Sequence, residues 1–81
     1  MKIIIVEDER KSLMGLTALI GQLEERWDIV GTAGNGEEGV RLIAREQPDV
    51  VITDVMMEQM DGLEMMEAIR NQGNECKFIV L

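Results

Sequence analysis

The feature that most limits the fold of this chain is its alternation of short apolar runs with longer stretches whose apolar residues recur every three or four positions. Ile3 to Val6 is a β-branched run closed by Glu7-Asp8-Glu9, the pattern of a buried strand. Leu13, Leu16, Ile20, Leu23 and Trp27 then form one stripe of an amphipathic helix. Asp28 to Ala33 predicts a second strand. Gly34-Asn35-Gly36 makes a turn, and Asn35 and Glu38 are spaced as a helix-capping pair. The second helix carries Val40 and Ile43 inward and stops at Gln47-Pro48, because proline disfavours helix in the residue before it. Val50 to Thr53, apolar nearly throughout, predicts a third strand covered on both faces. Asp61 with Glu64 opens a third helix whose Leu63, Met66 and Ile69 face inward; Gly73 ends it, and Lys77 to Leu81 predicts a fourth strand.

Strands and helices in strict alternation, joined by short connections, imply right-handed crossovers and a mostly parallel, doubly wound α/β sheet. The 81 residues suffice for one small domain, which buries only about 60–65% of its unfolded surface. Trp27 and Phe78 are the only aromatic residues, so the core falls to Ile, Leu, Val and the seven Met, the last as adaptable filler. No internal repeat, low-complexity segment or linker interrupts the pattern. The fourth strand runs to the last residue with no helix after it, so the expectation is that residues 1–81 form the N-terminal part of a larger domain.

Sixteen acidic residues oppose eight basic ones, a formal charge of −8, and there is no His. That balance argues against direct grip on a nucleic-acid backbone, which needs Lys and Arg to displace counterions. It suits a chain that binds a cation or meets a basic partner surface. The lone Cys76 cannot form an internal disulfide, which fits a reducing, cytoplasmic setting. The apolar run after Met1-Lys2 is too short for a signal peptide or a membrane span.

In open parallel sheets, ligands bind beyond the carboxyl ends of the strands. Glu7 and Asp8 follow the first strand and Asp54 follows the third. If those strands are neighbours, the three carboxylates converge, and like charges so close raise a pKa unless a cation offsets them. All-oxygen ligands with open positions for water suit magnesium. A carboxylate beside such an ion is a usable nucleophile, and the central, flanked one is Asp54. The bland alternative, acids that merely end strands and solvate them, would serve for one such residue better than for three at one edge.

The run Ile3-Ile4-Ile5-Val6-Glu7-Asp8-Glu9, and Pro48 through Met57 continuing to Met60-Asp61-Gly62, resemble the receiver domain of two-component response regulators. The likeness extends to Gly34-Asn35-Gly36-Glu37-Glu38 and to Lys77-Phe78-Ile79-Val80-Leu81. It implies a flavodoxin-like sheet of order 2-1-3-4 with the fifth strand absent. It implies a sensor histidine kinase that donates phosphoryl to Asp54, and Mg2+ held by Asp8, Asp54 and the backbone carbonyl of Met56, with Glu7 ligating indirectly or through a water. It further implies a C-terminal output domain, transcription-regulating and DNA-binding, with homodimerisation on phosphorylation and no membrane contact. The first helix and Asp28-Ile29-Val30-Gly31-Thr32-Ala33 are similar to receivers joined to AraC-type DNA-binding domains.

The sequence departs from that family at Glu58, where a proline is usual; its loss frees the loop by roughly 0.4–1 kcal/mol of unfolded-state entropy. The family's switch Ser or Thr after the fourth strand, and its Lys after the fifth, fall beyond Leu81. Three other readings compete. Gly34, Gly36 and Gly39 match the dinucleotide fingerprint G-x-G-x-x-G, although Glu37 and Glu38 then crowd a helix start that a pyrophosphate needs bare. A dehalogenase-type aspartyl-phosphate hydrolase needs a second Asp where Met56 stands. A degenerate receiver would act only as a protein-interaction module.

Overall fold

The computed structural model describes residues 1–23, 26–54 and 60–81. Strand β1 (Lys2–Val6) leads to α1 (Arg10–Leu23), β2 (Asp28–Ala33), α2 (Gly36–Glu46), β3 (Val50–Thr53), α3 (Gly62–Asn71) and β4 (Lys77–Val80). The four strands form one sheet of order β2-β1-β3-β4, and every pairing is parallel. The flavodoxin-like order that the family likeness implies is therefore the order observed.

The two inner strands hold the β-branched runs because they alone are covered on both faces. Ile3, Ile4, Ile5 and Val6 of β1 and Val51 of β3 lie at 2% exposure or less. On one face Ile4, Val6 and Val51 pack with Ile43 of α2 and Met65 and Ile69 of α3. On the other, Ile3, Ile5 and Val50 pack with Ile20 of α1, edged by Leu13 and Leu16. One irregularity occurs between β1 and β2, where Ile3 pairs with Ile29 but Ile4 with Gly31, leaving Val30 as the extra residue of a bulge.

Helix ends are satisfied as the sequence predicts. The side chain of Asn35 accepts from the Glu38 N–H, and that of Asp61 accepts from the Glu64 N–H, each at 2.9 Å. The Glu38 carboxylate reaches back to the N–H of Gly34. At the far end of α2, Gln47 takes a left-handed conformation, φ 49°, just ahead of Pro48. Arg70 fastens α3 to β4: its guanidinium donates to the carbonyls of Asn74 and Cys76 and lies 5.0 Å from the centre of the Phe78 ring.

Two inward stripes differ from the sequence reading. Leu23 is exposed, and Trp27, outside α1 and just before β2, is exposed as well. The reason is length: fourteen helical residues rise about 21 Å, whereas a five-residue strand spans about 16 Å, so the stripe outruns the sheet. In α3, Leu63 points outward at 60% exposure and Met65 is fully buried. The sequence offers apolar residues on both sides of this helix, and packing selects Met65 because its sulfur sits over Gly39, where α2 has no side chain.

Candidate functional site

β1 and β3 are adjacent and in register, Val6 beside Thr53, so the residues that follow them emerge at one level. The Asp54 N–H donates to the Val6 carbonyl at 3.2 Å, and the Glu7 N–H donates to the Ala33 carbonyl at 3.0 Å. These backbone bonds carry both carboxylates to the carboxyl edge of the sheet, with Asp8 one residue beyond. Oxygens of Glu7, Asp8 and Asp54 all lie within 4.8 Å of one another. The sequence-predicted convergence therefore occurs in full for these three. The Met56 carbonyl and Glu58 lie outside the described residues.

The three carboxylates are not equivalent. Glu7 is buried at 5% exposure, Asp54 is half-buried and Asp8 is exposed. Burial pushes the Glu7 carboxyl above its ordinary range; the N–H of Glu9, donating to its Oε1, pulls the other way. The negative charge of Asp54, and then contact with Asp8, raise it further. The cluster gathers three carboxylates, one of them buried. Its donors are all oxygen, and it fits a small hard divalent cation whose charge would offset the repulsion.

Two supporting residues were not singled out from the sequence. Thr53, fully buried, donates its hydroxyl to the Asp54 carbonyl at 2.9 Å, fixing the chain at the residue that ends β3. Its signal was there to read, as the one polar residue in Val50–Thr53. Glu9 precedes α1 and accepts from the Lys11 N–H and the Ser12 hydroxyl, and the latter bond chiefly lowers its pKa. The Glu9 side chain thus serves the helix start, while its N–H serves the Glu7 carboxylate.

The glycine fingerprint has a packing explanation instead of a phosphate one. A Cβ on Gly36 would lie 2.7 Å from the Cβ of Met60, and one on Gly39 would lie 2.6 Å from the sulfur of Met65. The N–H groups a pyrophosphate would need at Gly34 and Glu38 are already taken by Glu38 and Asn35. The dinucleotide reading is not supported, because Met60 covers this turn and the Gly34 and Glu38 amides are already bonded.

Comparison with known proteins agrees with the geometry. The family model described as the response regulator receiver domain matches residues 3–81. The chain is 35% identical over 81 residues to the transcriptional regulatory protein LiaR of Bacillus subtilis, covering all of this chain and 38% of that protein. It is similar to a DNA-binding response regulator of the LuxR family from Staphylococcus aureus, with 32% identity and a TM-score of 0.90 over 98% of this chain and 65% of the other. It is also similar to the CheX-CheY-BeF3-Mg+2 complex from Borrelia burgdorferi, with 27% identity and a TM-score of 0.88 over 98% and 59%. The chain spans about two fifths of the length of LiaR.

Proposed function

This chain belongs to the response regulator receiver family of two-component systems, and from that premise we propose that Asp54 accepts a phosphoryl group from a sensor histidine kinase. The observation that carries the reading is the meeting of the Glu7, Asp8 and Asp54 oxygens within 4.8 Å at the carboxyl edge of the sheet. Asp54 is the nucleophile of the three in this reading because it directly follows the inner strand β3 and its main chain is held at both the N–H and the carbonyl. Its own N–H is tied to Val6 and its carbonyl to the Thr53 hydroxyl. A carboxylate oxygen of Asp54 attacks the phosphorus as the bond from phosphorus to the kinase imidazole nitrogen breaks, and that nitrogen keeps the electron pair.

Asp8 and Asp54, with Glu7 behind them, are the residues that would hold Mg2+, and the Met56 carbonyl belongs to the same proposal. The ion, when bound, supplies positive charge that screens the carboxylates and takes up charge on the phosphoryl oxygens. The presence of BeF3 and Mg2+ with the CheY relative supports both halves of this reading. Phosphorylation adds about −1.5 to −2 charge at the sheet edge. The relatives' names support a transcription-regulating output in the protein that carries this receiver. The acidic charge of this segment assigns DNA contact to another domain, and the proposed setting is cytoplasmic. The chain is then a phosphoacceptor that assists its own modification rather than an enzyme acting on a separate substrate. Residues 1–81 would be the N-terminal part of that receiver, and phosphorylation would favour a homodimer.

The test is intact mass after incubating the whole protein with acetyl phosphate and Mg2+, with Asp54→Asn beside it. A gain of one phosphoryl group that is lost in Asp54→Asn, and weakened Mg2+ binding in Asp8→Asn, are the expected results. A gain that persists in Asp54→Asn would place the acceptor elsewhere.

A further inference from the structure

Strand β2 is an edge of the sheet, paired on one side only, with β1. The Ala33 carbonyl accepts from Glu7, so Ala33 turns its backbone toward β1, and by the alternation of a parallel ladder Thr32 turns its N–H and C=O outward. Two cavities of about the same size meet at Thr32. One, of about 400 Å³, lies on the α2 side and is lined by Thr32, Glu38, Arg41, Leu42 and Arg45. The other, of about 410 Å³, lies on the α1 side and is lined by Leu13, Met14, Thr17 and Ala18, with Thr32 between.

The chemistry of the two differs. The α2 side presents two guanidinium groups one helical turn apart, in a chain with only eight basic residues. Arg45 pairs only with its neighbour Glu46, and no ion pair of Arg41 occurs among the described residues. The carboxylate of Glu38 shares this cavity and keeps its charge while it accepts from the Gly34 N–H at 2.9 Å, but the two guanidinium groups outnumber it there. The α1 side is apolar, with Met14 64% exposed.

We propose that the outer edge of β2 is a docking site for an extended segment of a partner protein in which acidic and apolar residues alternate. Such a segment adds a strand beside Thr32 through main-chain hydrogen bonds. Its alternate side chains fall on opposite faces of the sheet: acidic ones toward Arg41 and Arg45, apolar ones toward Leu13, Met14 and Ala18. The net charge of −8 does not forbid an acidic partner, because charges beyond about 8 Å are largely screened at physiological salt. This site is separate from the carboxylate cluster and does not depend on phosphoryl chemistry there.

The probe is a short synthetic peptide alternating Glu with Val, fluorescently labelled and titrated into the whole protein, with a Gln/Val peptide of the same length as the control. The expected result is binding of the Glu/Val peptide, slower amide hydrogen exchange in β2, and an affinity about tenfold lower in Arg41→Glu/Arg45→Glu. Both arginines are exposed, so that variant keeps its fold, which circular dichroism checks. Thr32→Pro, which removes an outward N–H that β1 does not use and also fixes φ at an edge strand, is expected to weaken both peptides, with circular dichroism again checking the fold. Absence of binding to the native protein, equal affinity of the charge-reversed variant, or protection at β4 in place of β2 would each overturn the proposal.

Discussion

Against the sheet face covered by α2 and α3, Ile43, Met65 and Ile69 are fully buried, and neither Gly36 nor Gly39 has room for a single added carbon. Against the face covered by α1, Ile20 is the only residue of the helix that is buried, while Met14, Leu19 and Leu23 stay exposed. A Cβ added at Gly15 or Gly21 of α1 would meet nothing within 4 Å. The same kinds of residue thus have opposite meanings on the two faces. On the α2–α3 side a glycine is a packing requirement, and on the α1 side it is a helix residue without a side chain. The lesson is that stability is concentrated in the α2–α3 layer, and α1 is the helix with the least holding it.

Substitutions can break or sharpen this contrast. The largest effect is expected from Ile69→Ala, which empties a fully buried position between α3 and the sheet and costs about 2–5 kcal/mol. The paired change Leu19→Ala, at a side chain 53% exposed, is expected to shift stability by less than ~0.5 kcal/mol. Urea denaturation of the two variants checks both, and equal costs would erase the distinction between the faces.

A single chemical change should next give opposite signs. Gly36→Ala forces a methyl group against Met60 and is expected to destabilise by about 1–3 kcal/mol. Gly21→Ala places the same methyl in open space on a helix and is expected to stabilise by roughly 0.5–1 kcal/mol. Thermal melts read both, and destabilisation at Gly21 would mean that α1 is held more closely than its packing indicates.

The smallest effect concerns Cys76, on the α2–α3 side at 6% exposure. Burial pushes its thiol above the ordinary value, and the nearby Arg70 guanidinium only partly offsets this. The folded state therefore holds the proton more tightly than the unfolded one. The resulting stability is present below the unfolded thiol value of about 8.5 and is lost as pH rises through the folded value. Slow reaction with a disulfide reagent at neutral pH, becoming fast on unfolding, is the expected outcome; prompt reaction in the native state would show that this layer opens readily.

The sequence by itself determined what depends on near neighbours in the chain. The β-branched runs fixed the strands, Asn35 and Asp61 fixed the starts of α2 and α3, and Pro48 fixed the end of α2, because capping and backbone restriction act within a few residues. Strict strand–helix alternation was enough to give a parallel sheet, its strand order came from the family likeness, and the acids after β1 and β3 were enough to mark where carboxylates gather. Tertiary structure alone decided which of two apolar stripes in α3 turns inward, how far α1 outruns the sheet, and what the glycines of α2 are for. Met65 over Gly39 and Met60 over Gly36 are contacts between distant segments. No local preference distinguishes a glycine kept for a ligand from one kept for a neighbouring helix. The inequality of the three carboxylates has the same origin: Glu7 and Asp8 are adjacent in the chain, yet only Glu7 is buried. Its raised pKa comes from the packing around it and from a charge forty-seven positions away at Asp54, which a parallel pairing brings alongside.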